Sequence, residues 1–318
     1  MRVFVAGATG AIGRPLVAAL LARGDEVAGL TRRADGAEEL RRMGARPVIA
    51  DALDRDGLAR SVVAVAPDVV VHQLTALKRL KSFRSFDREF VATNELRTRG
   101  TDNLLHAARA SGARGFVAQS YGSWIYERTG TRAKTETDAL DPDPPRMQRK
   151  SLDAIRYLEH AVTSATELRG VALRYGAFYG PGTSVAHDGA IAAQLRKGWV
   201  PIIGDGGGIW SFLHVHDAVT ATIAAIDRGR TGIYNVADDQ PAPVSEWLPA
   251  LANAVGAPPP KRIPKWVGRL AAGQVGVSMF TQIRGMSNQK AKQELGWQPA
   301  FASWQDGFRT GLASANLQ

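Results

Sequence analysis

Short apolar runs recur through the first half of the chain, separated by longer stretches in which apolar positions return at helical spacing. The runs are Arg2–Ala6, Glu26–Leu30, Pro47–Ala50, Asp68–Gln73, Phe116–Gln119 and Val171–Arg174. Between them Arg14–Arg23, Ala37–Met43, Arg55–Val65, Phe86–Ser111 and Met147–Ser164 read as helices. Strands with no polar face, alternating with helices, predict a parallel sheet covered on both sides. After Arg174 the rhythm changes. Short apolar segments alternate with turns such as Gly180-Pro181-Gly182, Gly204-Asp205-Gly206-Gly207-Gly208 and Ala257-Pro258-Pro259-Pro260. The expected division is a nucleotide-binding domain over residues 1–174 and a smaller α/β substrate region over 175–318, with a helix near 216–228 packing back on the first domain. The polar stretch Gly122–Arg146 is too long for a plain connection and reads as a functional lid.

The first crossover carries the clearest chemistry. Arg2–Ala6 runs into Gly7-Ala8-Thr9-Gly10-Ala11-Ile12-Gly13 and then into the first helix. The first glycine permits a tight reversal, the second lets the backbone approach a pyrophosphate, and the third lets helix pack on strand. The helix's free N–H groups and positive dipole end then face the anion. Pro15 in the first turn and Gly24 at the C-terminal end fit that helix. The turn predicts dinucleotide binding through Gly7, Thr9, Gly10, Ala11, Ile12 and Gly13. At the end of the second strand, where a bare ribose calls for a carboxylate, the chain has Thr31-Arg32-Arg33. Guanidinium groups there suit a 2′-phosphate, so NADP(H) is favoured over NAD(H), with Arg32 and Arg33 as its readers.

Composition narrows the class. The chain of 318 residues is 45% hydrophobic and 22% charged, enough for a full core and without low-complexity tracts. It has no cysteine, which excludes disulfides, thiolate nucleophiles and cysteine zinc sites and fits a reducing cytoplasm. The start at Met1-Arg2 reads as a first strand and helix rather than a signal peptide. No run approaches the ~18 apolar residues of a membrane span. The net charge of +10 is spread along the chain without a nucleic-acid-binding module. The expected partner is a small-molecule substrate, with neither nucleic acid nor membrane involved.

These features resemble the extended short-chain dehydrogenase/reductase superfamily of NAD(P)-dependent epimerase/dehydratase type. The glycine turn is similar to its GxxGxxG. Asp51 with Ala52 looks like its adenine contact, and His72-Gln73-Leu74-Thr75-Ala76 like the stretch passing under the cofactor. Asn94 followed by Gly100-Thr101, and the segment from Leu173 to Gly182, are similar to further landmarks, as are Phe212–Asp217 and Leu295–Pro299. The resemblance implies a Rossmann-like doubly wound parallel sheet. It implies cofactor contacts at Asp51, Ala52, Leu74, Thr75, Asn94, Ser120, Tyr175, Gly176 and Phe178, and a homodimer through the helices Phe86–Ser111 and Met147–Ser164.

The chemistry departs from that pattern. The family's proton donor is a Tyr four residues before a Lys, and none of the six tyrosines here has a Lys four residues on. Matching Glu159 to the family's glutamate puts Ser151 and Ile155 in the Tyr and Lys places. Ser120, Tyr121 and Tyr126 are the remaining candidates for catalysis, while Lys150 reads as solvent-facing. Where sugar-nucleotide enzymes grasp their substrate, this chain has Ala177 and Ile209-Trp210, which favours a smaller carbonyl or imine substrate with an apolar body. The basic loop Lys78–Arg84 offers a place for an acidic substrate group. His214, His216 and Asp217 read as a helix start, and no metal is expected. The leading expectation is an NADPH-dependent reductase. An epimerase or dehydratase with bound NAD(P), and a non-catalytic NADP(H)-binding regulator, are the alternatives.

Overall fold

The computed structural model describes residues 1–76 and 83–313. Seven parallel strands form the central sheet: β1 (Arg2–Ala6), β2 (Glu26–Thr31), β3 (Arg46–Ile49), β4 (Val69–His72), β5 (Gly115–Tyr121), Arg169–Tyr175 and Gly232–Val236. Their spatial order places β4, β5, Arg169–Tyr175 and Gly232–Val236 on one side of β1, with β2 and β3 on the other. The order of strand addition therefore reverses at β1, and the crevice at that reversal lies over the glycine turn.

Alternation along each strand divides the core. Val3, Val5, Val69 and Val71 face one side, packing with Leu16, Val17 and Leu20 of the first helix (Gly13–Ala22) and with Val219 and Ile226 of the helix Val215–Arg228. Phe4, Ala6 and Val70 face the other, against Leu58, Val62, Leu104 and Leu158. A third cluster, rich in aromatics, gathers Tyr179, Phe212, Trp247, Trp304 and Phe308 from beyond residue 175. The seventh strand also comes from beyond residue 175, with Gly232–Val236 pairing along Val171–Tyr175.

Two expectations change. The single long helix Phe86–Ser111 is a stepped run: Phe86–Glu89, Val91–Glu95, a π-helical turn at Leu96–Gly100, then Thr101–Ala110. Phe90 (φ −97°, ψ 1°) breaks the first step, and its ring stacks on Phe86 at 4.3 Å. The stretch Gly122–Arg146 is pinned rather than free. Ala133–Lys134 pairs in parallel with Gly285–Met286, Tyr126 bridges Leu140, and Arg128 contacts the buried Asp141 at 2.9 Å. Of the basic loop Lys78–Arg84, residues 78–82 lie outside the described residues.

Candidate active site

The glycine turn divides its labour as its spacing requires. Gly7 has φ +91°, and a Cβ on it would lie 2.6 Å from the Gln73 carbonyl oxygen of the neighbouring strand end. A Cβ on Gly13 would lie 2.0 Å from the Gly7 carbonyl oxygen, so helix and turn touch backbone to backbone. Gly10 differs: it is exposed, and its Cβ would meet only the Gly7 oxygen, at 3.2 Å. The helix that follows has no side-chain cap and no acid in its first turn. An exposed glycine at an uncapped, acid-free helix N-terminus fits a dinucleotide pyrophosphate. Thr9 and Ala11 flank it, half-buried and exposed, and Ile12 is buried beneath.

At the end of β2 the two arginines part company. Arg33 is clamped by Asp35, two residues on, through both Nε and a second guanidinium nitrogen. Arg32 is exposed and makes no hydrogen bond or ion pair among the described residues. Asp51 is exposed beyond β3, with one carboxylate oxygen accepting from the Leu53 amide at 3.0 Å. Ala52 is buried, and its carbonyl accepts from Asn103 at 2.9 Å. Leu74 and Thr75 continue from β4. The Leu74 amide donates to His72 Nδ1 at 3.2 Å while His72 Nε2–H reaches the Leu96 carbonyl at 3.3 Å.

Deeper in, a buried polar chain crosses the C-terminal ends of the strands. Ser120 donates its hydroxyl proton to Glu159 at 2.7 Å. Glu159 accepts from Arg174 through both oxygens, at 2.7 and 2.6 Å. Arg174 also donates to the Tyr126 hydroxyl at 3.0 Å, and Tyr126 donates to Asn235 Oδ1 at 2.5 Å. Burial pushes the Tyr126 phenol up to about 12. Two of the three candidate catalytic hydroxyls thus have their protons committed inside the protein. Tyr121, at the last position of β5, is only half-buried, and burial raises its phenol above the ordinary range while Ser123 and Arg97 draw it back. Tyr175 is sealed in the sheet core with its hydroxyl between Gln73 (3.2 Å) and Thr222 (2.6 Å) and its carbonyl accepting from the Gly122 amide at 2.9 Å, so its side chain is not open to a cofactor. Gly176 is held by packing, its Cβ direction ending 2.8 Å from the Ser211 oxygen, and Phe178 leans on Tyr175 at 5.4 Å. Asn94 donates to Ser151 at 3.2 Å, and Ser151 donates to Asp87 at 2.7 Å.

Residues 3–237 match the NAD dependent epimerase/dehydratase family. The chain belongs to that family. A 3-diazoavenalumate denitrifying reductase of Streptomyces sp is 44% identical over 97% of this chain and 99% of that protein. A 2-alkyl-3-oxoalkanoate reductase of Stenotrophomonas maltophilia is 27% identical over 87% of this chain and 81% of that one. Among solved structures, the UDP-glucose 4-epimerase of Thermus thermophilus in complex with NAD superposes with a TM-score of 0.73 at 30% identity, covering 98% of both chains. The protein is an oxidoreductase-type enzyme of this family, working with a nicotinamide dinucleotide.

For a member of the epimerase/dehydratase family, three features stand out that the sequence pattern gave no role. The ion pair of Glu159 and Arg174 is the hub that claims Ser120 and Tyr126. Asn235, on the seventh strand, ends that chain. Arg97, turned inward on the π-helical turn, is 5% exposed. Glu159 and Arg174 lie inside recognisable motifs, but their pairing joins separate elements, and a one-residue shift to π geometry leaves no mark in the hydrophobic pattern. His214 is an N-cap, its Nδ1 accepting from the His216 amide at 3.2 Å. Asp217 accepts from the Ala300 and Phe301 amides at 2.7 and 3.0 Å. No helix among the described residues is long and apolar enough to cross a membrane.

Proposed function

We propose that the protein is an NADPH-dependent reductase delivering hydride to a small electrophile with an apolar body. The observation that carries this is the 44% identity with a reductase along nearly the whole chain, combined with the free guanidinium of Arg32 where a 2′-phosphate would stand. The bound dinucleotide supplies the hydride. The chain supplies the grip: backbone N–H groups from Ala11 to Gly13 for the pyrophosphate, Arg32 for the phosphate tag, Asp51 and Ala52 for the adenine, Leu74 and Thr75 along the ribose side. Trp210, half-buried and backed by the core rings of Phe212 and Trp247 at 6.1 and 5.1 Å, gives the C-terminal region an aromatic surface suited to an apolar substrate.

With Ser120 and Tyr126 engaged elsewhere, a substrate that needs no proton from the protein suits the site best. The Streptomyces relative's name points to such a class. When hydride reaches an aryl carbon bearing a diazonium group, the C–N bond breaks, its electron pair leaves with dinitrogen, and the hydride pair forms the C–H bond. A carbonyl or imine is the second reading, favoured by Tyr121, whose phenol stands at the end of β5. We further propose a homodimer through the stepped run Phe86–Ala110 and the helix Arg149–Thr163. These present the exposed side chains of Val91 and Tyr157.

The test is NADPH oxidation with aryl diazonium, ketone, aldehyde and imine substrates. Release of dinitrogen matched one to one by NADPH consumed is the expected result. Cofactor binding without substrate-dependent oxidation in any class would leave a regulator instead. Arg32→Ala is expected to weaken NADPH about tenfold while leaving NADH unchanged. Tighter binding of NADH by the unaltered protein would overturn the cofactor assignment.

A further inference from the structure

Arg97 is a buried cation without a matching anion. It is 5% exposed, and among the described residues it makes one long hydrogen bond, 3.5 Å to Asn94 Oδ1, with no carboxylate at ion-pair distance. The ring of Phe90 lies 6.0 Å from its guanidinium carbon. A guanidinium has five N–H donors, so most of its capacity is unused. Glu159 feels its charge but has both oxygens taken by Arg174 and one also by Ser120.

The backbone commits the side chain to this position. The π-helical turn Leu96–Gly100 aims it inward, and Thr101 Oγ1 fastens the Arg97 carbonyl at 2.8 Å. The neighbouring Leu96 carbonyl accepts from His72 at the end of β4 at 3.3 Å, and the charge of Arg97 is felt by Tyr121 at the end of β5 and by Glu159. Burial lowers the Arg97 guanidinium to about 10 and keeps His72 neutral. An uncompensated charge in such a place is costly unless something negative meets it, and the C-terminal ends of parallel strands are where a substrate's reacting atoms lie. A methionine would fill the same space at no such cost.

We infer that Arg97 and the Tyr121 hydroxyl form a recessed oxyanion site at the C-terminal ends of β4 and β5, which takes a phenolate or enolate oxygen conjugated to the substrate's reacting carbon. This rests on the reductase reading for its place in a reaction, but not for its binding. The guanidinium stabilises the charge on that oxygen, with the Tyr121 hydroxyl as its second donor. Tyr121 donates to that oxygen and keeps its own proton.

The probe is 4-nitrophenol, whose ionised form is yellow and which cannot be reduced when the only cofactor present is NADP+. Mixed with the protein and saturating NADP+ one pH unit below its solution pKa, it is expected to bind as the phenolate and gain colour. Arg97→Met should abolish the colour and weaken binding at least tenfold, and Arg97→Lys should retain part of both. Tyr121→Phe should weaken binding less and keep the colour. Equal colour in Arg97→Met, or binding of the neutral phenol by the unaltered protein, overturns the inference. If Arg97→Met fails to bind NADP+, the comparison of Arg97→Lys with Tyr121→Phe carries the decision: a lysine variant without the colour refutes the site. Colour without hydride transfer to any substrate would leave the site standing and refute the reductase reading.

Discussion

His72 shows how one residue links acidity to the cofactor loop. Its Nδ1 accepts the Leu74 amide and its Nε2–H reaches Leu96, so only the neutral ring satisfies both partners. Burial lowers its pKa from 6.5 to about 4. The unfolded chain takes up that proton first, so the contribution is full above pH 6.5 and is lost as pH falls toward about 4. Urea unfolding is expected to lose about 3 kcal/mol across that window, and His72→Gln should flatten the profile. The Glu159–Arg174 pair works in the opposite sense, as a charge that must not be orphaned. Glu159→Gln should cost about 3–5 kcal/mol by leaving a buried guanidinium unpaired, with the double variant Glu159→Gln/Arg174→Met recovering part of the loss in the same unfolding measurement. Residue identities announced Ser120 and Tyr126 as candidates, but not their occupation. Ser120 meets Glu159 across 39 positions and Tyr126 meets Asn235 across 109, distances over which side-chain type carries no information about pairing.

At the scale of elements, the glycine turn was legible because each glycine answers a separate steric demand, and the same demands separate two substitutions. Gly10→Ala places a methyl group against nothing tighter than 3.2 Å, whereas Gly13→Ala drives one to 2.0 Å from backbone. Gly10→Ala is therefore expected to melt near the unaltered protein but bind dinucleotide at least tenfold more weakly, and Gly13→Ala to lose both stability and binding. Calorimetry and cofactor titration read the two effects apart. The strands were legible for a similar reason, since runs such as Val69-Val70-Val71 are apolar on both faces. The stepped run from Phe86 was not. Its apolar positions suit one helix, and even the Phe86–Phe90 stack has the four-residue spacing of a continuous one, so nothing in the pattern marks the break at Phe90. Which of Arg32 and Arg33 stays free was also hidden, because the decision belongs to Asp35, in the helix after the strand.

Across the whole molecule, the proposed dimer face is the surface over Arg149–Thr163 and the stepped run. A groove lined by Asn94, Glu95, Thr98, Lys150, Asp153 and Tyr157 runs between the two elements, with Val91 61% and Tyr157 44% exposed. Val91→Glu combined with Tyr157→Glu is expected to convert a dimer into a monomer in light scattering, because two charges then face their own copies across the interface. An unaltered protein that is already monomeric would refute the dimer. The aromatic region beyond residue 175 was foreseen only as a change of rhythm, since its pairs of two-residue strands are too short to register in any periodicity.

The strand Gly232–Val236 binds the two halves of the chain into one sheet. It hydrogen-bonds along Arg169–Tyr175 and so closes a sheet edge that the first 174 residues alone would leave bare, a row of unpaired amides and carbonyls open to any other extended chain. Its Asn235 also ends the buried polar chain from Ser120. A chain cut after Arg174 is therefore expected to lose the far anchor of that polar chain and to self-associate through the uncovered edge, which light scattering would register.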